Sequence, residues 1–171
     1  MVEKQAGEQR IVVLGVGNLL MGDEGAGVRA VTELSRRYEM PPQVAVIDGG
    51  TMGIELLPWL DGCSHLLIVD AMQGEGVAGD CRRIAIDSPP SFFRNRSSPH
   101  QIGLADVLAL AAMTDALPGA VTLLGIIPQR MDSGLELSGP VAAGMERLIT
   151  MLVDELAGLG APLVERVVVS A

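Results

Sequence analysis

Short unbroken apolar runs alternate along this chain with longer stretches in which apolar residues return every three or four positions. Runs of the first kind are "RIVVLGVGN" (10–18), "VAVIDGG" (44–50), "HLLIVDAM" (65–72) and "AVTLLGIIPQ" (120–129). Each reads as a strand buried on both faces, with a turn after it. "CRRIAID" (81–87) alternates instead, which suits a strand at an edge. The second kind predicts helices. "GVRAVTELSRRY" (27–38) carries Val28, Val31 and Leu34 on one side, and Pro41 and Pro42 stop it. "QIGLADVLALAAMTD" (101–115) predicts an amphipathic helix, and "PVAAGMERLITMLVDELAGLG" (140–160) the longest one, ended by Gly158 and Gly160. "GIELLPWLDGC" (53–63) is a short helix that Pro58 kinks or ends. "GEGVAGD" (74–80) and the Pro-rich "SPPSFFRNRSSPH" (88–100) read as loops, and "APLVERVVVSA" (161–171) as either an extra strand or a loose end.

Strands alternating with helices predict an α/β fold, a three-layer α/β/α sandwich around a mostly parallel sheet. No repeat or linker breaks the chain. One domain is expected over 1–171, with its core at about 10–157 and the N-terminal tail and 161–171 peripheral. Sites in such sheets lie at the carboxyl ends of strands. That rule points to 18–24, 48–50, Asp70 and 129–132.

Composition narrows the function classes. The chain has 171 residues, a net charge of -9 and a pI near 4.6, with no basic face to meet a nucleic acid. Hydrophobic residues make up 49% and aromatics 2%, so the core is aliphatic and Met-filled. Cys63 and Cys81 form no CxxC and are expected as reduced thiols. "MVEKQAGEQR" lacks the apolar segment of a signal peptide, and no run approaches the roughly 20 apolar residues of a membrane span. The expectation is a cytoplasmic protein without membrane insertion.

The candidate chemistry starts at "VLGVGNLLMGDEGAGVRA" (13–30). Gly15 and Gly17 begin a dinucleotide fingerprint, but Leu20 stands where its third glycine belongs, and no Lys completes a P-loop. Asp23 and Glu24 would repel a phosphate there. Acids on a glycine-rich turn suit a cation. Glu24 and Asp70, each near the carboxyl end of a strand, together with His100 at a helix start, make a mixed oxygen and nitrogen donor set for a borderline divalent ion. Three protein donors leave open positions for water or substrate. Each residue also has a structural alternative: Glu24 as a helix-start acid, Asp70 bonded to loop amides, His100 as a cap. Asp48 either shapes its turn or lines the same cleft. There is no GxSxG or HExxH; Ser97 and Ser98 are weak nucleophile candidates, and His65 reads as structural.

Taken together, "GVGNLLMGDEGAGVRAVTEL", "DGGTMGIELLPWL", "HLLIVDAM", "SPHQIGLADVLALA" and "LLGIIPQ" resemble the [NiFe]-hydrogenase maturation proteases, in order from about 10 to 155. The combination of G-x-G-N-x-L-x-x-D-[DE]-G with S-P-H-Q-x-G-L is the specific part. The resemblance implies a five-stranded, mixed, mostly parallel sheet of the phosphorylase/hydrolase-like kind. It implies an endopeptidase that trims the C-terminus of the hydrogenase large-subunit precursor, and metal donors at Glu24, Asp70 and His100. The metal is nickel carried by the substrate precursor, with no organic cofactor. Asp48 and Asp23 are the carboxylates open to a catalytic role, Asp23 as a helper or as a purely structural group. A monomer suits a transient partner. Two other readings fit parts of the pattern: a nickel-sensing chaperone that cuts nothing, and a nucleotide-dependent α/β enzyme.

Overall fold

The computed structural model describes residues 9–50, 53–94 and 99–167, with 99–102 described as backbone. Five strands form the main sheet: β1 (Ile11–Val16), β3 (Val44–Gly50), β4 (His65–Ala71), β5 (Cys81–Ala85) and β6 (Ala120–Ile126). Their order is β3-β1-β4-β6-β5, and β5 alone runs antiparallel, at the edge. The sheet is the expected mixed, mostly parallel one. β1 and the last six residues of β4 are buried throughout, because helices cover both faces.

Strand alternation splits the core in two. Ile11, Val13, Leu67, Val69, Leu124 and Ile126 face helices α1 (Ala26–Arg37) and α5 (Gly139–Gly158). Val12, Leu14, Leu66, Ile68, Val121 and Leu123 face α2 (Leu57–Leu60), α3 (Pro89–Arg94) and α4 (Pro99–Met113). Val28, Val31 and Leu34 are the buried stripe of α1, and Val141, Leu148, Ile149, Leu152 and Leu156 that of α5.

Two local expectations change, and two are made specific. The stretch 88–100 is not all loop: Pro89 opens α3, whose Phe93 is fully buried and meets Phe92 edge to face at 5.0 Å. A proline disfavours a helix interior but suits its first turn. α4 buries one stripe, Leu104, Val107, Leu108 and Ala111, and leaves Asp106 and Met113 exposed, although its outer side is also rich in apolar residues. α1 ends at Arg37, and Tyr38–Glu39 form a short strand β2 that pairs antiparallel with β7 (Val164–Glu165). Of the two readings of the segment after α5, the extra strand is the one observed, and Ala161 is fully buried.

The connections define a crevice. β1 leads through α1, on one face, to β3 on its outer side. β4 leads away in the other direction, to β5 and then through α3 and α4 on the opposite face to β6. Between β1 and β4 the chain departures diverge, which opens a cleft above the carboxyl ends of those two strands.

Candidate active site

Two acids flank that cleft. Glu24 sits in a 3-10 turn, Gly22–Gly25, between β1 and α1, and this turn packs against β4. Asp70 is the sixth residue of β4, opposite Gly125 of β6. Glu24 is 8% exposed and Asp70 1%. Carboxylates this far from water need hydrogen bonds, cations or a metal around them.

Glycine lets these groups come together. A Cβ on Gly17 would lie 1.9 Å from the Glu24 carbonyl oxygen, and Gly17 has φ +130°, outside the usual range of other residues. A Cβ on Gly27 would lie 2.1 Å from the Val69 carbonyl oxygen and 2.4 Å from that of Val16. The first turn of α1 is thus seated directly on the ends of β1 and β4. Gly17 and Gly27 serve this close backbone packing, which seats the turn carrying Glu24 against β4.

Asp23 has a different place from its neighbour. It is fully buried, and both oxygens are occupied. The backbone N–H groups of Gln129 and Arg130 donate to Oδ2 at 2.9 and 3.0 Å. Ser138 donates its N–H to Oδ1 at 2.7 Å and its hydroxyl to Oδ2 at 2.8 Å. Burial pushes the Asp23 carboxyl up, but the bonds from Arg130, Ser138 and Gln129 outweigh it and hold the group below the usual carboxylate range. A carboxylate with this many donors and no exposure is a poor proton acceptor. Its geometry is that of the structural alternative.

Asp48 is the exposed carboxylate of the edge. It pairs with Gly15 of β1, and Gly15 pairs on its other side with Val69. Asp48 and Val69 are therefore level, two strand spacings or about 10 Å apart. Alternation sets Asp48 with Val44 and Val46 on the α1 face, and Asp70 with Leu66 and Ile68 on the α4 face. A chain that meets both has to lie across the top of β1.

His100 lies in the first turn of α4, and α4 packs against the 3-10 turn Ile54–Leu56 that follows the carboxyl end of β3. Its side chain, like Ser97 and Ser98, is outside the described residues. Among the described residues no three His, Cys, Asp or Glu side chains form a metal-holding group. Glu24 and Asp70 provide oxygen donors of the type a borderline divalent ion accepts alongside an imidazole.

The other candidates lie elsewhere. His65 opens β4 at the amino edge, its Nδ1 3.2 Å from the Ser64 hydroxyl. Cys63 is buried and Cys81 half-buried, both as free thiols. Burial pushes both thiols up, away from the reactive thiolate.

Residues 28–155 match the family model described as hydrogenase maturation protease. The chain belongs to the hydrogenase maturation protease family. It is 40% identical over 158 residues to the hydrogenase 2 maturation protease of Escherichia coli K12, covering 92% of this chain and 96% of that one. It is also 40% identical over 152 residues to the hydrogenase expression/formation protein HoxM of Azotobacter vinelandii, covering 88% and 73%. The solved structure of the hydrogenase maturating endopeptidase HybD of E. coli superposes with a TM-score of 0.87 at 38% identity, covering 92% of this chain and 98% of the other. The protein is accordingly a peptide hydrolase, and among its described residues no helix is long and apolar enough to cross a membrane.

Sequence reasoning missed Ser138. It precedes Gly139 and Pro140 and looks like an ordinary helix cap, yet its hydroxyl makes no cap bond and turns to Asp23. Only a contact over 115 positions reveals this role.

Proposed function

We propose that this protease removes the C-terminal extension of a nickel-loaded [NiFe]-hydrogenase large-subunit precursor, and that nickel arrives as part of that substrate. The observation that carries the reading is the pair of buried acids, Glu24 and Asp70, at the β1/β4 crevice of a chain in this family. With the His100 imidazole they make a donor set suited to nickel but equally to zinc or cobalt. Raw affinity therefore does not select the metal; the precursor's own thiolates have to contribute.

The peptide crosses the carboxyl edge over β1. Glu24, Asp70 and His100 hold the metal-bearing end, and Asp48 reaches the chain from the other side. Water adds to the scissile carbonyl carbon, the C–N bond breaks, and the departing amine takes a proton. Asp48, accessible where Asp23 is not, takes the proton from the water. The enzyme acts as a cytoplasmic monomer, and no organic cofactor takes part.

The test is cleavage followed by intact-mass spectrometry. Nickel-loaded precursor is mixed with the wild-type protein, and in parallel with Glu24→Gln and His100→Ala. The expected result is one discrete C-terminal mass loss with wild type, absent without nickel and absent with both variants. Stable binding of the precursor with no mass change would overturn the protease reading and favour a nickel-sensing chaperone.

A further inference from the structure

Just past the carboxyl ends of β4 and β6, Gln73 and Gly74 on one side and Gln129 and Arg130 on the other help line a cleft of about 320 Å³. One wall is the start of the 129–138 loop, which joins β6 to α5. Most of this loop lies outward: Arg130, Asp132, Ser133, Leu135 and Glu136 are exposed. It contains no helix and no strand beyond a single bridge, Met21 to Gly134. It is nonetheless tied to the Glu24 turn at several points. Gly22 donates its N–H to the Gly134 carbonyl at 2.8 Å, and Gly134 returns one to Leu20 at 2.9 Å. Asp23 donates its own N–H to the Arg130 carbonyl at 3.3 Å, the Arg29 guanidinium donates to the Leu135 carbonyl, and the Asp23 carboxylate accepts from Gln129, Arg130 and Ser138.

We propose that Asp23 is a positioning residue that fixes this loop as one wall of the substrate cleft, in register with Glu24. The inference rests on the reading of the carboxyl edge as the cleavage site. Three observations support it. The residues whose amides Asp23 binds, Gln129 and Arg130, are themselves cleft-lining. Ser138 gives Asp23 a hydroxyl that stands at the cap position of α5 and makes no cap bond there. The Asp23 carboxylate and Glu24 are consecutive in a four-residue turn, so a shift of the loop is passed to Glu24 through one peptide unit. The four donors explain the residue type. All are backbone amides or a hydroxyl, and they converge on two oxygens. A carboxylate accepts from every one; an amide side chain has to turn its own NH₂ toward at least one donor.

The test uses the full chain with Asp23→Asn and Ser138→Ala, read by amide hydrogen exchange and by steady-state cleavage of nickel-loaded precursor. Asp23→Asn is expected to speed exchange at Gln129, Arg130 and Ser138, leaving the β1 and β4 amides protected. Misplacing one wall lowers kcat by about 10- to 100-fold, while KM moves less than about threefold because the folded precursor keeps its other contacts. Ser138→Ala removes a single donor, so a smaller kcat loss of about 3- to 10-fold is expected, with faster exchange at Gln129 and Arg130. If Asp23→Asn does not fold, the Ser138→Ala result decides. Wild-type kcat with freed loop amides overturns the proposal, as does loss of protection across the whole sheet with either folded variant. Failure of the wild-type protein to cut precursor would instead sink the underlying function, while the exchange data still report on the latch.

Discussion

Gly27 rests on the carbonyl of Val69, so close that a Cβ there would stand 2.1 Å from the oxygen. Val69 precedes Asp70, and Gly27 follows Glu24 by three residues, so this contact joins the two segments that carry the acids. Both sides of the contact are backbone, which cannot rotate away. Gly27→Ala is expected to lift α1 from β4 at a cost of about 1–3 kcal/mol. For a chain of this size that lowers the unfolding midpoint by about 3–10 °C. Calorimetry checks the stability, and cleavage of precursor should fall further than stability alone explains. An unchanged midpoint would show that α1 slides without cost.

Asp48 is exposed and is not needed for packing. Asp48→Asn is expected to leave the unfolding midpoint within about 1–2 °C, since surface changes usually stay within about 0.5 kcal/mol. If it is the base, kcat falls about 10²- to 10⁴-fold. Wild-type turnover in this variant would remove Asp48 from the chemistry.

Stability at low pH should report the Glu33 cluster. Arg36 and Arg37 donate to Glu33 on α1, and Arg37 also reaches Glu146 on α5. Bonds from Arg36 and Arg37 hold the Glu33 carboxyl down to about 2, from an ordinary value of 4.5. A folded-state value below the unfolded one means the contribution is complete above about pH 4.5 and is lost as pH falls toward 2. Denaturant titrations across that window should show a steeper fall for wild type than for Glu33→Gln. The pairs face solvent, so the difference is small and shrinks as salt is raised. A difference confined to pH above 5 would contradict this assignment.

The two thiols offer a control on mechanism. Burial raises both thiols, and Cys63 is buried while Cys81 is half-buried. Iodoacetamide at neutral pH is expected to label Cys81 slowly and Cys63 later still. Cleavage should persist in a Cys63→Ala, Cys81→Ala double variant, with stability reduced by the small loss of volume. Abolished cleavage in a folded double variant would bring a thiol into the reaction.

The strands β1, β3, β4 and β6 and the helices α1, α4 and α5 were legible because burial on two faces, or on one helical stripe, writes itself into the spacing of apolar residues. α3 was not, because its prolines look like loop signals until the fully buried Phe93 shows what anchors them. Nor was the β2–β7 pair, since two-residue strands have no period and their pairing joins Tyr38 to Glu165.

The acids follow the same division. Residue types and order alone marked Glu24, Asp70 and Asp48 as strand-end carboxylates, because the carboxyl edge of a parallel sheet is where such residues collect. Spacing could not separate Asp23 from Glu24, which are adjacent in the chain. The fold does so by enclosing the Asp23 carboxylate among donors from Gln129, Arg130 and Ser138, in the turn that packs on β4. The local pattern of the chain determined its elements and its stock of acids. Contacts over more than a hundred positions decided which acid is a strut, because a carboxylate's role depends on the donors that reach it and on the water that does not.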